Sequence, residues 1–225
     1  MRCELPISVI IPTFNAETEL VALLKQVCGC VKTVIIVDGG SVDLTCVIAS
    51  RYGVALLRGD RGRGYQMRVG GDHATTDWLL FLHADTVLEQ GWQDDVSEFL
   101  RQENLYTCGV FSFGLDDVCR QARRIEHLAN WRSRALGLPY GDQGLLISKE
   151  FYNALGGFRA LPIMEDVELM RRVGKSRLKI FNTRAVTSSV RYRKDGWWRR
   201  PLLNLICLTL YFLGLSPGYI VKIYK

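Results

Sequence analysis

The 225-residue sequence is 48% hydrophobic and 23% charged, a balance typical of soluble globular proteins that excludes a disordered, collagen-like or polytopic membrane protein. Its length predicts one large domain with room for a modest C-terminal appendage. The net charge of +6 is uneven, because residues 1–150 carry 15 Lys and Arg against 19 Asp and Glu, whereas residues 151–225 carry 14 against 4. A basic end on an acidic body favours a phosphate-rich ligand, a membrane surface or a nucleic acid; a solvated basic face is the alternative.

Short apolar runs alternate with helical periodicity through the first 82 residues. The predicted order is strand 7–11, helix 16–28, strand 34–37, helix 43–51, strand 54–57, a helix from about 64 to 74, and strand 78–82. Buried strands that alternate with helices predict a mostly parallel sheet with right-handed crossovers, flanked by helices.

The second half is less regular. It predicts a strand at 107–115, a helix at 119–136, an apolar run at 144–147 followed by a helix, another helix at 165–173, and an apolar stretch at 202–215. This last stretch is shorter than the roughly 20 residues that a spanning helix needs, and Asn204 and Thr209 interrupt it. An interfacial or packing helix is therefore expected.

Small and polar residues follow each of the first four strands. They are Thr13 and Asn15, residues 38–41, residues 59–64 and residues 83–86. Ligands of parallel sheets bind beyond the carboxyl ends of the strands, so these four loops predict one binding crevice.

Four acidic residues and one arginine stand out as candidates for chemistry. Asp85 suits Mg²⁺ or Mn²⁺ held largely by water and substrate phosphate, with helix capping as the alternative. Asp38 could bind a base or ribose, or simply form the turn into the next helix. Glu165 and Asp166 precede an apolar helix and could act as a base or as its cap. Arg63, between two glycines, could approach a diphosphate.

Several other site types are not supported. Neither GxxxxGK[ST] nor GxGxxG occurs, which excludes a P-loop and leaves dinucleotide binding unsupported. Seven cysteines at irregular spacing, without a CxxC pair, predict reduced core thiols in a cytoplasmic protein. No signal peptide is expected from the opening residues.

In their order, these loops resemble the GT-A glycosyltransferases of family 2. Residues 12–17 are similar to the Pro-x-Tyr-Asn-x-Glu loop of that family, and residues 37–43 are similar to its Asp-Asp-Gly-Ser-x-Asp loop. Residues 80–86 stand where the metal-binding Asp-x-Asp motif lies. Residues 164–166 resemble the Glu-Asp pair. A closer likeness is to small bacterial members with a Leu-His-Ala-Asp-Thr metal loop. In those, residues 62–67 and 141–144 also have counterparts.

The resemblance implies a GT-A (Rossmann-like) α/β fold with a C-terminal helical extension, and an inverting, metal-dependent transfer of sugar from a nucleoside diphosphate sugar to an acceptor hydroxyl. It implies Mg²⁺ or Mn²⁺ on Asp85, with Asp166, beside Glu165, as the base. The implied donor nucleotide residues are Pro12, Thr13, Asn15, Glu17, Asp38, Arg63, Gln66 and Ala84. The implied acceptor or diphosphate residues are Asp142, Gln143, Arg191 and Arg193. The acceptor is not identified, and no nucleic acid is expected.

Three departures from the family pattern matter. His83 replaces the first Asp of Asp-x-Asp, and Gly39 replaces the second Asp of the donor loop. The Gln-x-x-Arg-Trp motif of processive synthases is missing, so processive polymerisation is not expected. A nucleotidyltransferase and a non-catalytic nucleotide-sugar-binding protein remain alternatives.

The C-terminal end forms a unit of its own in this interpretation. We expect a glycosyltransferase domain at 1–195 and a helical extension at 196–225, packed on it or at a membrane or dimer interface. Trp197 and Trp198 follow a basic run and precede the apolar stretch, a pattern that membrane interfaces favour. Peripheral contact with the inner face of the membrane is one interpretation of this pattern. The alternative is that the helix caps the sheet or forms a homodimer, with Arg191 and Arg193 turned inward to the diphosphate.

Overall fold

The computed structural model describes residues 4–102 and 104–224. Eight strands in this part of the chain form one sheet. They are β1 Leu5–Thr13, β2 Val31–Asp38, β3 Ala55–Arg58, β4 Trp78–Phe81, β5 Thr86–Leu88, β6 Cys108–Leu115, β7 Leu145–Ser148 and β8 Leu178–Thr187. The helices are α1 Glu17–Val27, α2 Thr45–Arg51, α3 Arg63–His73, α4 Trp92–Gln102, α5 Arg120–Leu136, α6 Lys149–Ala154, α7 Glu165–Val173, α8 Val190–Asp195, α9 Arg199–Phe212 and α10 Pro217–Tyr224.

The strand order is β3-β2-β1-β4-β7-β6-β8-β5. The first four strands pair in parallel, which confirms the predicted parallel sheet. Strand β7 runs antiparallel to both β4 and β6, β8 runs parallel to β6, and β5 closes the edge antiparallel to β8. The carboxyl ends of β1, β2 and β4 consequently meet at one edge, where the site lies.

Helices cover both faces of β1, which explains its continuous apolar run. Val9 packs with Leu20 and Leu24 of α1 on one face, and Ile10 packs with Met67 of α3 on the other. Helix α3 approaches β1 closely at Gly70, where an added Cβ would lie 2.4 Å from Ile10 Cγ2. Only glycine permits this approach, which lets the second half of α3 pack directly on β1 and β2.

The predicted elements are present in the structure, but the sequence interpretation contains no element at β5, α4, β8 or α8. Strand β8 mixes exposed, half-buried and buried positions without strict alternation, so its period-2 signal is weak. This strand carries the chain back to the site through Thr187.

The last two helices pack on the body of the domain. Cys207 and Leu208 of α9 and Ile220 of α10 share an apolar cluster with Ile163 and Val167. In residues 4–102 and 104–224, no helix combines the length and the apolarity needed to cross a bilayer.

Candidate functional site

Two adjoining cavities lie at the carboxyl edge of the sheet. The first, of about 380 Å³, is formed by the loops after β1, β3 and β4, and is called the loop cavity. The second, of about 120 Å³, lies between the start of α7 and the C-terminal segment, and is called the central cavity. Both cavities are lined by Arg63, His83, Asp85, Arg191 and Tyr224. The strand-end rule thus predicts where the cavities lie.

Asp38 is buried and holds its own loop. Its carboxylate accepts hydrogen bonds from the hydroxyl of Thr13 at 3.0 Å, from the backbone N–H groups of Gly40 and Ser41 at 3.0 and 2.8 Å, and from the hydroxyl of Ser41 at 2.5 Å. Burial raises the pKa of Asp38, but these hydrogen bonds outweigh burial and leave the pKa below its ordinary value. The contacts therefore show the turn-forming role, and nucleotide binding by Asp38 stays a prediction.

The first two loops also bind each other. Asn15, at a φ of 49°, accepts a hydrogen bond from the backbone N–H of Val42 at 3.0 Å. Glu17 accepts one from the backbone N–H of Leu44 at 2.9 Å. Asn15 lines the loop cavity together with Pro12, Thr13 and Ala84.

Gln66 fastens α3 to the sheet edge. Its side-chain amide donates to the carbonyl oxygens of Thr13 and Val37, both at 2.7 Å. This bridge across β1 and β2 fixes the floor of the loop cavity, which Gln66 also lines. Above that floor, the Arg61 guanidinium lies 3.8 Å from the centre of the Phe14 ring.

Arg63 and Glu165 form an ion pair that joins α3 to α7. Arg63 Nε lies 2.9 Å from Glu165 Oε1, and the Glu165 side chain is only 1% exposed whereas that of Arg63 is 44% exposed. Burial raises the pKa of Glu165 and the Arg63 charge opposes that rise. Met164, at a φ of 65°, occupies the cap position of α7. Neither Glu165 nor Asp166 is therefore the N-cap residue of α7.

Asp166 faces the central cavity and is only partly buried. One carboxylate oxygen accepts a hydrogen bond from the backbone N–H of Gly141 at 2.8 Å, and the other accepts one from the backbone N–H of Val167 at 2.7 Å. These two bonds fix the carboxylate, and each oxygen keeps a further lone pair for a ligand. His83 also packs against Gly141, since an added Cβ there would lie 2.7 Å from His83 Nε2 and 3.6 Å from Asp166 Oδ2.

His83 is held neutral in this environment. Burial, followed by the Arg63 charge, lowers the pKa of His83 to about 3. Its Nε2 is buried and has no hydrogen-bond partner among the described residues. A neutral imidazole does not replace the missing carboxylate of Asp-x-Asp, because it brings no negative charge.

Asp85 lies in the turn between β4 and β5, where both cavities meet. A strand follows this turn, so Asp85 does not cap a helix. No group of three or more His, Cys, Asp or Glu in the described part of the chain is arranged to hold a metal. A divalent cation here would use one carboxylate and complete its shell with water and ligand oxygens, which suits Mg²⁺.

Gln143 and Arg193 lie elsewhere and, like Glu17, Asp38 and Glu165, they line neither cavity. Gln143 is fully buried, where its amide donates to the Phe111 carbonyl at 2.9 Å and accepts from the Ser133 hydroxyl at 2.6 Å. Arg193 donates to Asp117 at 2.8 Å and does not line either cavity. Both contacts are structural, and a role for either residue at the diphosphate stays an untested prediction.

The C-terminal segment supplies residues to the central cavity that the sequence interpretation did not single out. They are Thr187, Ser188, Arg200, Asn204 and Tyr224. Arg200 donates to the Tyr224 hydroxyl at 2.7 Å, which ties the end of α10 over the site. The basic charge of residues 151–225 was the one available signal.

We expect Gly64→Ala to destabilise the protein by about 2 kcal/mol, because overpacked contacts force the backbone to shift. An added Cβ would lie 2.4 Å from the Arg159 carbonyl oxygen and 3.0 Å from Glu165 Cβ. Urea unfolding measures the effect. The control is Gly218→Ala, a helical position where the nearest atom lies 4.0 Å away. Equal stability changes in the two variants would contradict the close packing of α3 on residues 159–165.

Asp142→Asn is expected to raise stability above about pH 6 by about 1 to 2 kcal/mol. Burial raises the pKa of Asp142 from 3.8 to about 6, although Arg132 opposes the rise. Between these values the folded state keeps a proton that the unfolded state releases, so stability falls as pH rises, and the whole penalty applies above the folded pKa. Thermal unfolding at about pH 8 and pH 4.5 tests this. A stability gain that does not shrink at the lower pH would contradict it.

Comparison with known proteins places these features in a family. The family model described as "Glycosyl transferase family 2" matches residues 8–160. A "PGL/p-HBAD biosynthesis glycosyltransferase" of Mycobacterium bovis and one of Mycobacterium tuberculosis are each 41% identical over 92 residues, which cover 36% of this chain and 36% of the relative. The chain thus matches about a third of the length of these curated relatives.

Solved structures share the fold. S. aureus TarS 1-349 in complex with UDP-GlcNAc aligns with a TM-score of 0.61 at 15% identity, covering 97% of this chain and 70% of that one. Glucosyl-3-phosphoglycerate synthase from Mycobacterium tuberculosis, in complex with Mn²⁺, UDP and glucosyl-3-phosphoglycerate, aligns with a TM-score of 0.56 at 17% identity, covering 81% and 70%. At these identities the likeness establishes the fold, which is that of the GT-A glycosyltransferases.

Proposed function

The chain belongs to glycosyl transferase family 2, and from that premise we propose that it transfers a sugar from a nucleoside diphosphate sugar to a hydroxyl of an acceptor. One observation carries the proposal. The loop cavity, large enough for a nucleoside, meets the smaller central cavity at Arg63, Asp85 and Arg191, and Asp166 lies beyond that junction. This arrangement offers separate places for nucleotide, diphosphate and reacting sugar.

The nucleoside occupies the loop cavity in this proposal. Pro12, Thr13, Asn15 and Ala84 line it, while Asp38, Glu17 and Gln66 hold the loops that form it. The diphosphate lies at the junction, where the guanidinium groups of Arg63 and Arg191 oppose its charge. The ion pair with the buried Glu165 holds Arg63 at the junction before a ligand binds.

Asp85 is the residue that would hold Mg²⁺ or Mn²⁺. The cation, when bound, neutralises charge on the departing diphosphate. The described residues fit this role in part, since Asp85 provides one carboxylate ligand at the junction. The other coordination positions of the cation would be left to water and phosphate oxygens. A metal held this way would bind together with the donor rather than before it.

Asp166 is the proposed general base. Its carboxylate is fixed by two backbone N–H groups and faces the central cavity, so it can accept the proton of a hydroxyl as that oxygen attacks the anomeric carbon. In this proposal the diphosphate, held at the junction by Arg63, Asp85 and Arg191, leaves from the face of the anomeric carbon opposite the attacking hydroxyl. Attack and departure on opposite faces invert the anomeric configuration.

The reaction products test this proposal. Incubation with UDP-sugars and GDP-sugars in the presence of Mn²⁺ should release the nucleoside diphosphate; UDP-sugars come first because TarS and the synthase were solved with UDP. Pyrophosphate release from a nucleoside triphosphate would instead identify a nucleotidyltransferase. Tight binding of the nucleotide sugar without turnover would identify a binding protein.

The C-terminal residues complete this proposal. We treat residues 1–195 as the glycosyltransferase domain and residues 196–225 as an extension that covers the site through Tyr224. The predicted cytoplasmic location, peripheral membrane contact and homodimer remain predictions. Salt-sensitive flotation with anionic liposomes and light scattering would test the last two.

A further inference from the structure

An apolar groove runs between α5 and the segment formed by α8 and α9. Its volume is about 450 Å³, within the range of small-molecule sites. Six of its large apolar side chains are more than half exposed, namely Leu128, Trp131, Leu136, Trp198, Leu202 and Leu205. Clustered exposure of this kind is unfavourable in water and marks a binding surface.

The groove leads into the catalytic region. Tyr140, Asp142, Tyr192 and Asn204 line both the groove and the central cavity. The groove therefore adjoins the cavity that contains Asp166. A molecule that lies along the groove would reach the reacting centre with one end.

Two side-chain oxygen atoms at the inner end of the groove, where it meets the central cavity, lack hydrogen-bond partners among the described residues. Asp142 Oδ1 and Asn204 Oδ1 are both buried and accept no hydrogen bond from the described residues. A buried acceptor left without a donor costs free energy. A ligand hydroxyl that donates to these oxygens would remove that cost, so the inner end of the groove is polar in a way that suits a hydroxyl group.

We propose that the groove binds the apolar part of the sugar acceptor. This acceptor is a single-chain amphiphile whose hydroxyl-bearing head lies at the inner end of the groove, beside Asp142 and Asn204. This inference rests on the proposed function. A bilayer surface or a second copy of the chain would cover the exposed leucines and tryptophans, but it would not reach the oxygens of Asp142 and Asn204 inside the groove. A narrow chain with a hydroxyl head matches both ends.

The reaction balances without a further reactant. The acceptor oxygen forms a bond to the anomeric carbon of the donor sugar, and the bond from that carbon to the diphosphate oxygen breaks with its electron pair. Asp166 accepts the hydroxyl proton. Asp142 and Asn204 act as positioning residues that orient the head of the acceptor.

A chain-length series of acceptors tests the inference. Methyl, butyl, hexyl and octyl β-D-glucopyranosides, each below its micelle concentration, serve as probes, with release of nucleoside diphosphate as the readout. The apparent KM is expected to fall roughly fourfold for each methylene that enters the groove. A shift of the tryptophan emission to shorter wavelength on addition of the same probes, without donor, should follow the same order, because Trp131 and Trp198 line the groove and are exposed to water.

Two variants separate the groove from general surface apolarity. Leu205→Asp places a charge in the groove at a side chain that is 58% exposed, so folding should survive, and Leu202→Asp repeats the test one turn earlier. Both should abolish the dependence on chain length. Leu213→Asp, at a 78% exposed leucine that does not line the groove, should keep it.

The outcomes distinguish the two proposals. Wild-type protein that releases nucleoside diphosphate but shows neither a chain-length dependence nor a shift of its tryptophan emission overturns binding in the groove and leaves the proposed function intact. Wild-type protein that does not release it overturns the proposed function, and the fluorescence titration still decides whether the groove binds the probes. Liposome flotation or dimerisation that Leu205→Asp abolishes, with flat acceptor kinetics, assigns the groove to a membrane or to a second copy and overturns the inference.

Discussion

Asp166→Asn is expected to lower kcat by roughly 10²–10⁴-fold, the usual contribution of a positioned general base. Asparagine keeps the shape of the side chain and one oxygen for the Gly141 N–H bond, but its amide NH2 replaces the oxygen that accepts the Val167 N–H. Thermal unfolding of the variant therefore accompanies the kinetics, so that a loss of kcat at wild-type stability reports on proton transfer. The affinity for the nucleotide sugar should stay near that of the wild type, because Asp166 lies beyond the diphosphate junction.

The rate of nucleoside diphosphate release measures this effect, and calorimetric titration of the donor measures the affinity. Asp72→Asn is a matched control, since this carboxylate is 62% exposed on α3 and forms a surface ion pair with Arg68. A kcat within a factor of two or three of the wild type, which corresponds to roughly half a kcal/mol in the barrier, would remove the base assignment.

Asp85→Ala is the second large effect, with an expected loss of roughly 10²–10³-fold in kcat, as when one electrostatic partner of a developing charge is removed. Asp85 is the carboxylate placed where the loop and central cavities meet. Unlike Asp166→Asn, this change should also weaken binding of UDP, and only when Mn²⁺ is present. Titration with and without Mn²⁺ measures the difference.

Asp72→Ala serves as the control, because its side chain lies on α3 and does not line either cavity. If Asp85→Ala retained the full Mn²⁺-dependent gain in UDP affinity, the metal would have to be held by other residues. The pair of variants therefore separates metal binding from proton transfer within one site.

The parallel half of the fold is predictable from sequence because its signals are local. Val9, Ile10 and Ile11 lie in a strand that is buried on both faces, and Leu20, Leu23 and Leu24 repeat with helical spacing. Alternation of two such patterns has few topological solutions. The same logic brings the loops after β1 and β4 to one edge, so the cavities around Asp85 follow from connectivity.

The roles of individual side chains in those loops are not predictable in the same way. Asp38 and Gln66 stand at family motif positions, yet their visible contacts hold loops together. Sequence motifs record which residues are present, whereas the partners of a buried polar group depend on the backbone that surrounds it. Gln143 shows this most clearly, because its side-chain amide donates to the Phe111 carbonyl and accepts from the Ser133 hydroxyl, and it lines neither cavity.

The C-terminal half of the site escapes sequence reasoning for a different reason. Strand β8 joins the sheet beside β6, from which it is separated by more than 60 residues, and its alternation is broken by a register shift. Such long-range pairing has no local signal. Tyr224 reaches both cavities only because α10 packs on Ile163 and its neighbours.

The central claim is that an acceptor oxygen attacks the anomeric carbon of a nucleotide sugar, and hydrolysis in water labelled with oxygen-18 tests it most directly. Water replaces the acceptor, so the acceptor need not be identified, and the oxygens of the released nucleotide do not exchange with solvent. Attack at carbon predicts an unlabelled nucleoside diphosphate by mass spectrometry. A nucleotide that carries oxygen-18 would show attack at phosphorus and would contradict the proposed glycosyl transfer.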